Sequence, residues 1–262
     1  MLALIAGTGD LPIAIAARLT TPYLVCAMQG FKPEIPVDLT FRIEHLGTLL
    51  RSLQDRGVTQ VCMAGAVRRP PVDPSAIDAA TAPLVPRIQM ALTSGDDGAL
   101  RVIMAIFEEA GIEVVAAHSL LPDLIPDAGV LTVRAPNAAQ HKAALAGDAA
   151  LADMGARDSG QACVIAGGDV VLREDAQGTD ALMQRVRPEM MDAFLMKGPK
   201  PAQDLRADMP VIGLDTARNA TAAGLDGIVV EAGGVMVMDL PQIIDHLNAQ
   251  DRFLWVRPRG GE

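Results

Sequence analysis

Short apolar runs alternate with helix-compatible segments through the first half of the chain, and this alternation constrains the fold more than any other feature. The runs at 2–6, 23–28, 58–64 and 112–117 are mostly apolar along their length. Strands buried on both faces have this character, and helices between such strands produce a parallel sheet covered on both sides. The spacing of about 30 residues is typical of βα units. The first half therefore predicts a Rossmann-like domain with a mostly parallel sheet.

The second half of the chain has a different sequence pattern, and a proline-rich stretch at 121–136 separates it from the first half. Beyond that stretch, apolar runs at 162–165 and 170–173 flank two adjacent glycines, which predicts a hairpin. We predict an α/β protein of two domains. The N-terminal domain is Rossmann-like and covers 1–130. The C-terminal one is a smaller, mixed α/β domain that covers 137–262 and carries the segment Lys200–Pro210.

Charge and composition exclude several classes of protein. The chain carries 22 Lys and Arg against 32 Asp and Glu, a net charge of −10, whereas nucleic-acid binding needs clustered cations. Aromatic residues make up 3% of the chain, too few for base-stacking platforms. Three cysteines without a C-x-x-C pair and four histidines without an H-x-x-H pair argue against a disulfide framework and a zinc site. We therefore expect no nucleic-acid partner.

The apolar N-terminus does not have the pattern of a secretion signal. No Lys or Arg precedes its apolar part, and Gly7, Gly9 and Asp10 interrupt it. No apolar run in the chain reaches the length of a membrane-spanning helix. We expect a cytoplasmic protein, with peripheral contact to a membrane surface as an open alternative.

The tetrapeptide Gly7-Thr8-Gly9-Asp10 stands where a strand ends and a helix begins. Backbone N–H groups at such a place can bind a phosphate. Pro12 occupies the position of the third glycine of a dinucleotide-binding fingerprint, so the alternative is a tight strand-to-helix turn. Arg68, with Arg69 beside it, follows the run at 58–64, where arginines can bind a phosphate or remain solvated on the surface.

Adjacent carboxylates at Asp96 and Asp97 precede a helical segment. They can bind a hard cation, or one of them can cap the helix. Because a cap needs only one of the two, both remain candidate metal ligands.

The most polar stretch of the second half is 197–210, which contains two lysines, an arginine, an amide and two carboxylates. Its cations can bind a diphosphate, while Asp204 and Asp208 can bind a divalent ion or act as a base. Lys200 and Arg206 flank Asp204, and we expect them to hold the pKa of its carboxyl low. The alternative is a charged surface loop whose residues pair with one another.

Six sequence blocks, in order along nearly the whole chain, resemble those of the I-type UDP-2,3-diacylglucosamine pyrophosphatases of lipid A biosynthesis, the LpxI family. The blocks are Ala6–Pro12, Met63–Pro70, Gly95–Leu100, Ser159–Ala162, Gly178–Ala181 and Lys200–Pro210. One position departs from the family pattern. Gln177 stands where an acidic residue precedes Gly-Thr-Asp, and Glu174 lies nearby as a candidate substitute.

The resemblance implies that water cleaves the pyrophosphate of UDP-2,3-diacylglucosamine, an amphiphilic UDP-sugar lipid, in Gram-negative bacteria. The products would be 2,3-diacylglucosamine 1-phosphate and UMP, and Mg²⁺ would be the cofactor. The resemblance and the patterns above make Asp204, Lys200 and Gln203 the candidate catalytic residues. The candidate substrate-binding residues are Gly7, Thr8, Gly9, Asp10, Arg68, Gln161, Thr179, Arg206 and Thr216. The candidate metal ligands are Asp204, Asp208, Asp96 and Asp97. We also expect a homodimer that works in the cytoplasm, with peripheral contact to the inner membrane still open.

Two functions of other classes remain open at this stage. One is a Rossmann-like, dinucleotide-binding oxidoreductase, which rests on Gly7-x-Gly9 and is weakened by Pro12. The other is a lipid- or nucleotide-binding protein of the same fold without catalytic activity. Hydrolysis of a UDP-sugar lipid distinguishes all three.

Overall fold

A computed structural model describes residues 1–201 and 203–261 of the chain. The chain divides into two compact units. The first comprises Met1–Pro122 and Asp204–Asp208, and the second comprises Asp123–Gln203 and Met209–Glu262. The predicted fold class is confirmed, since both units are α/β and the first has a parallel sheet.

The first unit is built on a five-stranded sheet in the order β3-β2-β1-β4-β5, and every neighbouring pair is parallel. Its strands are β1 (Leu2–Ala6), β2 (Tyr23–Met28), β3 (Leu39–Phe41), β4 (Gln60–Ala64) and β5 (Glu113–Val114). All five residues of β1 are buried, as expected of a central strand with helices on both faces. Because β1 leads to β2 on one side and has β4 on the other, the strand order reverses between β1 and β4.

The helices of this unit connect the strands and cover the sheet. They are α1 (Asp10–Arg18), α2 (Leu46–Asp55), α3 (Val85–Thr93), α4 (Asp96–Glu109) and α5 (Ala117–Leu120). Helix α2 buries Leu46, Leu49, Leu50 and Leu53, which lie on one face at helical spacing. The same core includes Met104, Ile106 and Phe107 of α4.

A buried carboxylate, that of Glu44, stabilises this unit through its partners. Glu44 is 2% exposed, and the guanidinium of Arg42 lies 2.9 Å from its Oε1. Glu44 also accepts the backbone N–H of Asp73 at 2.8 Å. The hydrogen bond from Arg42 lowers the pKa of Glu44 from 4.5 to about 2.

We expect the free energy of unfolding to fall as the pH is lowered from 4.5 towards about 2. Over that range the unfolded chain takes up a proton at Glu44 that the folded chain does not, so acid favours unfolding. Urea denaturation at several pH values measures this effect, and Glu44→Gln should flatten the pH dependence. Glu34→Gln, at an exposed position of the same unit, is the matched control. An unchanged pH dependence in Glu44→Gln would refute this role.

The second unit is built on a six-stranded mixed sheet in the order β6-β13-β11-β9-β7-β8. Its strands are β6 (Gly129–Val130), β7 (Ala162–Ala166), β8 (Asp169–Arg173), β9 (Phe194–Lys197), β11 (Gly227–Glu231) and β13 (Phe253–Arg257). Strands β9, β11 and β13 are parallel, and the edge strands β6 and β8 are antiparallel to their neighbours. Strands β10 (Val211–Ile212) and β12 (Met236–Val237) form a separate parallel pair.

The helices of the second unit are α6 (Ala138–Ala156), α7 (Gly178–Gln184), α8 (Leu214–Ala222) and α9 (Leu240–Ala249). Helix α6 begins with a capping box, in which Asn137 and Gln140 each accept the other's backbone N–H. Among the described residues, no helix is both long and apolar enough to cross a membrane.

The predicted hairpin is confirmed, because β7 and β8 pair in antiparallel fashion around Gly167 and Gly168. Both glycines have positive φ, which a two-residue hairpin turn of this kind requires. The three cysteines are all buried and unbridged, as expected of small apolar core residues.

The unit boundaries differ from the predicted domain limits. The second unit is not the smaller one, and 204–208 belongs to the first unit although the rest of the segment Lys200–Pro210 lies in the second. Ala207 packs on the core of the first unit, and the backbone N–H of Asp204 donates to Asp97 of α4. These are long-range contacts, which the local sequence pattern does not reveal.

Candidate functional site

Two glycine loops meet at the carboxyl edge of the first sheet, where the strand order reverses between β1 and β4. Thr8 and Ala66 form an antiparallel bridge, with N–H···O distances of 3.0 and 2.8 Å. Gly9 and Gly65 have φ of 97° and 87°, in the left-handed region that glycine tolerates. In open α/β sheets this position is the usual place for a ligand.

Close approach of the two loops requires a glycine at position 7. A Cβ built on Gly7 would lie 2.5 Å from the carbonyl oxygen of Ala66, which is a backbone atom. The N–H of Gly7 donates to Ala64 and that of Thr8 to Ala66, so both groups hold the loops together. The donors left for a phosphate are the first-turn N–H groups of α1, which have no intrahelical acceptor. No side chain caps this helix at Gly9.

The two adjacent arginines have different surroundings. Arg68 is exposed beside the glycine loops. Arg69 donates to the carbonyl oxygens of Leu92 and Ser94 at 2.9 and 2.6 Å, and to Asp96 Oδ1 at 2.8 Å. It therefore satisfies carbonyl groups at the end of α3 and joins the β4 loop to the start of α4.

Asp96 and Asp97 lie in the first turn of α4, but the structure shows no side-chain cap on that helix. Asp97 instead accepts the backbone N–H of Asp204 on Oδ1, at 3.0 Å, and the Nε of Arg101 on Oδ2, at 2.7 Å. Asp97 thus fixes the position of Asp204 through the backbone.

Asp204 and Arg206 form a bidentate pair within the segment 204–208. Arg206 Nε donates to Asp204 Oδ1 at 2.9 Å and Nη2 donates to Oδ2 at 2.7 Å. The remaining Nη1 of Arg206 donates to Glu108 of α4 at 2.6 Å. The backbone N–H of Asp208 donates to the carbonyl oxygen of Asp204 at 3.4 Å. Arg206, which the sequence suggested as a substrate ligand, therefore binds two carboxylates of its own unit.

The pKa of Asp204 lies below the ordinary value, as predicted, and the hydrogen bond from Arg206 is the largest cause. The charge of Arg101 acts in the same direction. Lys200, the other expected cause, instead forms an ion pair with Asp158 in the second unit. The Asp204 carboxyl is 15% exposed and is ionised at neutral pH.

The four predicted metal ligands, Asp204, Asp208, Asp96 and Asp97, are not gathered into a preformed cluster in the part of the chain that the structure describes. Among the residues that the structure describes, no three Asp, Glu, His or Cys side chains are grouped as ligands. Both carboxylate oxygens of Asp204 and of Asp97 already accept hydrogen bonds, and Oδ1 of Asp96 accepts two from Arg69. Metal binding by these carboxylates therefore stays a prediction.

In the second unit, Gln161 and Thr179 meet at one edge of the sheet together with two residues that the sequence analysis did not select as site residues. Lys197 Nζ donates to Thr179 Oγ1 at 3.0 Å, and that hydroxyl donates to Glu174 Oε1 at 2.5 Å. Glu174 Oε2 accepts the backbone N–H of Gln161 at 2.7 Å. Glu174, noted only for its proximity to Gln177, thus contacts the Gly-Thr-Asp block directly. One feature of the sequence could have identified Lys197: it is a charged residue at the end of the otherwise apolar strand β9.

The loop after β9 is anchored within the second unit. The backbone N–H of Lys200 donates to Gln203 Oε1 at 2.8 Å, so the candidate catalytic amide shapes the loop. Arg259 donates to the carbonyl oxygen of Pro199 at 2.6 Å and to Glu231 at 2.8 Å. The segment that leads to Asp204 is therefore held by side chains distant in sequence.

Thr216 lies in the first turn of α8. Its hydroxyl accepts the N–H of Gly213 at 3.4 Å, which places it at the start of α8. Thr216 therefore has a helix-capping geometry, and its role in substrate binding stays a prediction.

Comparisons with known proteins agree over both halves of the chain. The family model of the LpxI N-terminal domain matches residues 1–124, and that of the LpxI C-terminal domain matches residues 127–255. A UDP-2,3-diacylglucosamine pyrophosphatase LpxI of Caulobacter vibrioides is 33% identical over 261 residues, which cover 93% of this chain and 92% of the relative.

Proposed function

Since the chain belongs to the LpxI family, we propose that it hydrolyses the pyrophosphate of UDP-2,3-diacylglucosamine to 2,3-diacylglucosamine 1-phosphate and UMP, in lipid A biosynthesis. The main support is the match of both domain models together with the similarity to the Caulobacter enzyme along nearly its whole length. Each unit by itself offers groups that suit a phosphate: the first has the exposed Arg68 and the fixed carboxylate of Asp204, and the second has the buried Lys197.

Asp204 is proposed to orient the attacking water. Its carboxylate is held by Arg206, and its backbone by Asp97, so it is fixed before substrate arrives. A carboxyl whose pKa is lowered is a weak base at neutral pH, which favours orientation of the water over removal of its proton. Holding a water in line with the phosphorus contributes to catalysis through positioning.

Phosphate recognition in the first unit is proposed at the glycine loops. The first-turn N–H groups of α1 and the exposed Arg68 are the donors there. Since Gly7 and Thr8 use their N–H groups between the two loops, their role is to shape the site. Arg206 likewise acts by holding Asp204.

Divalent-cation dependence is proposed on the chemistry of the substrate. Mg²⁺ commonly binds through substrate phosphates with one or two carboxylates, so it can enter with the diphosphate without a protein cage. We expect EDTA to abolish turnover and added Mg²⁺ to restore it, measured as UMP release. Full turnover in metal-free buffer would contradict this expectation.

A panel of substrates tests the proposed function. Purified protein is incubated with UDP-2,3-diacylglucosamine, with UDP-N-acetylglucosamine as the matched compound without the two long acyl chains, and with NAD⁺ or NADP⁺ plus oxidisable substrates. We expect UMP release from the lipid alone. Turnover of a nicotinamide cofactor would favour the oxidoreductase, and ligand binding without turnover would favour a binding protein.

The acyl chains of the proposed substrate indicate where in the cell the reaction takes place. We propose that the protein works in the cytoplasm and meets its acylated substrate at or near the inner membrane, as a homodimer. Fractionation of cells and sedimentation of the purified protein test these two points separately.

A further inference from the structure

The sheet register of the second unit brings Lys197, Gln161 and Glu174 to one edge. Lys197 is the last residue of β9 and lies opposite Ala162 of β7, which follows Gln161. Glu174 follows β8, and its N–H donates to the carbonyl oxygen of Ala162 at 2.9 Å. This edge is also the carboxyl end of the parallel strands β9 and β11, where open α/β sheets bind ligands.

Two opposite charges are buried at this edge. Lys197 is 8% exposed and Glu174 is 9% exposed. The Thr179 hydroxyl stands between them, because it accepts from Lys197 Nζ and donates to Glu174. Because the hydroxyl donates its hydrogen to Glu174, its oxygen can only accept from Lys197. This hydrogen bond holds the ammonium group in one place. Charges buried to this extent are normally paired, as these two are through the hydroxyl.

A second observation points to a ligand at the same edge. The side-chain oxygen of Gln161 is buried and has no hydrogen-bond partner among the described residues. A buried acceptor of this kind is normally satisfied, and none of the described residues supplies the donor here. A ligand that satisfies both groups carries an anionic oxygen for Lys197 and an O–H or N–H for Gln161, as a phosphorylated sugar does.

We propose that Lys197 binds a phosphate oxygen of the substrate and that Gln161 accepts a hydrogen bond from the adjoining sugar. This assignment rests on the proposed function, whose substrate is a diphosphate between two sugars. Glu174 is the buried charge partner that keeps Lys197 in place through Thr179. Lys200, the other lysine of this segment, forms an ion pair with Asp158.

The test measures binding of both products, UMP and 2,3-diacylglucosamine 1-phosphate, to two variants. Lys197→Met removes the cation but leaves Glu174 buried without its charge partner, so this single variant is expected to be less stable than the wild type. Lys197→Met/Glu174→Gln is neutral at both positions and keeps an amide where the carboxylate stood. Lys142→Met, at an exposed position of α6, is the matched control.

We expect the double variant to melt near the wild-type temperature and to bind one of the two products about tenfold more weakly, the loss of a charged hydrogen bond. The product affected identifies which phosphate Lys197 contacts. If Lys197 only balances Glu174, the double variant recovers both stability and affinity, and the proposal is overturned. Release of UMP by the wild-type protein is measured alongside. If the wild type hydrolyses the lipid but the double variant binds normally, the assignment of Lys197 fails and the proposed function stands.

Discussion

Replacing Asp204 with alanine is expected to lower kcat about 100-fold or more, the scale of catalytic general-base and electrostatic effects. The KM for the lipid should change little, because the oriented water matters mainly in the transition state. The segment itself should stay in place, since Asp97 binds the backbone N–H of Asp204 and Arg206 retains Glu108. Steady-state UMP release over a range of substrate concentrations separates kcat from KM.

Two further variants control this experiment. Asp55→Ala removes an exposed carboxylate of the same unit and should leave kcat unchanged. Asp204→Asn keeps an oxygen for the water and for Arg206, so its loss of kcat should be smaller than that of Asp204→Ala. If Asp204→Ala turns over within twofold of wild type, the segment 204–208 is structural and Asp204 does not act on the water.

Replacing Gly7 with alanine is expected to impair both stability and substrate binding. The added Cβ would lie 2.5 Å from the carbonyl oxygen of Ala66, so the β1 and β4 loops must separate. Overpacking of this kind costs about 1–3 kcal/mol of unfolding free energy. Displacement of the first turn of α1 should raise KM about tenfold, as when one charged hydrogen bond is lost. Urea denaturation and steady-state kinetics measure the two effects.

Gly213→Ala is the matched control for Gly7→Ala. A Cβ at Gly213 would meet no atom within 4 Å, and its φ of −137° suits any residue. We expect this variant to stay close to wild type in KM. Equal KM values in Gly7→Ala and wild type would mean that the glycine loops do not bind the phosphate.

Much of the fold could be predicted because its strands are continuous apolar runs with clear ends. The bounds of β1 and β2 are those of the runs themselves. Helix α6 is different, since it was not predicted at all. Its Ala-rich sequence has no stripe of large apolar residues. Small residues such as Ala143, Ala144 and Gly147 form its buried face instead. The cap formed by Asn137 and Gln140 was the one local signal.

The candidate site was only partly predictable, because its contacts join residues far apart in the chain. The flanking charge of Arg206 correctly predicted the low pKa of Asp204, since the two residues are neighbours in sequence. Lys200 is as near in sequence, yet its ammonium group pairs with Asp158. Similarly, Arg69 satisfies the end of α3, which spacing along the chain does not reveal. The sheet register explains why Lys197 and Glu174 come together.

The position of bond cleavage tests the central claim most directly. Purified wild-type protein is incubated with UDP-2,3-diacylglucosamine and Mg²⁺, and all products are quantified by mass spectrometry. The proposed pyrophosphatase gives UMP and 2,3-diacylglucosamine 1-phosphate in equal amounts, with Asp204→Ala almost inactive in the same assay. Release of UDP with an unphosphorylated lipid sugar, or no turnover by well-folded protein, would contradict it.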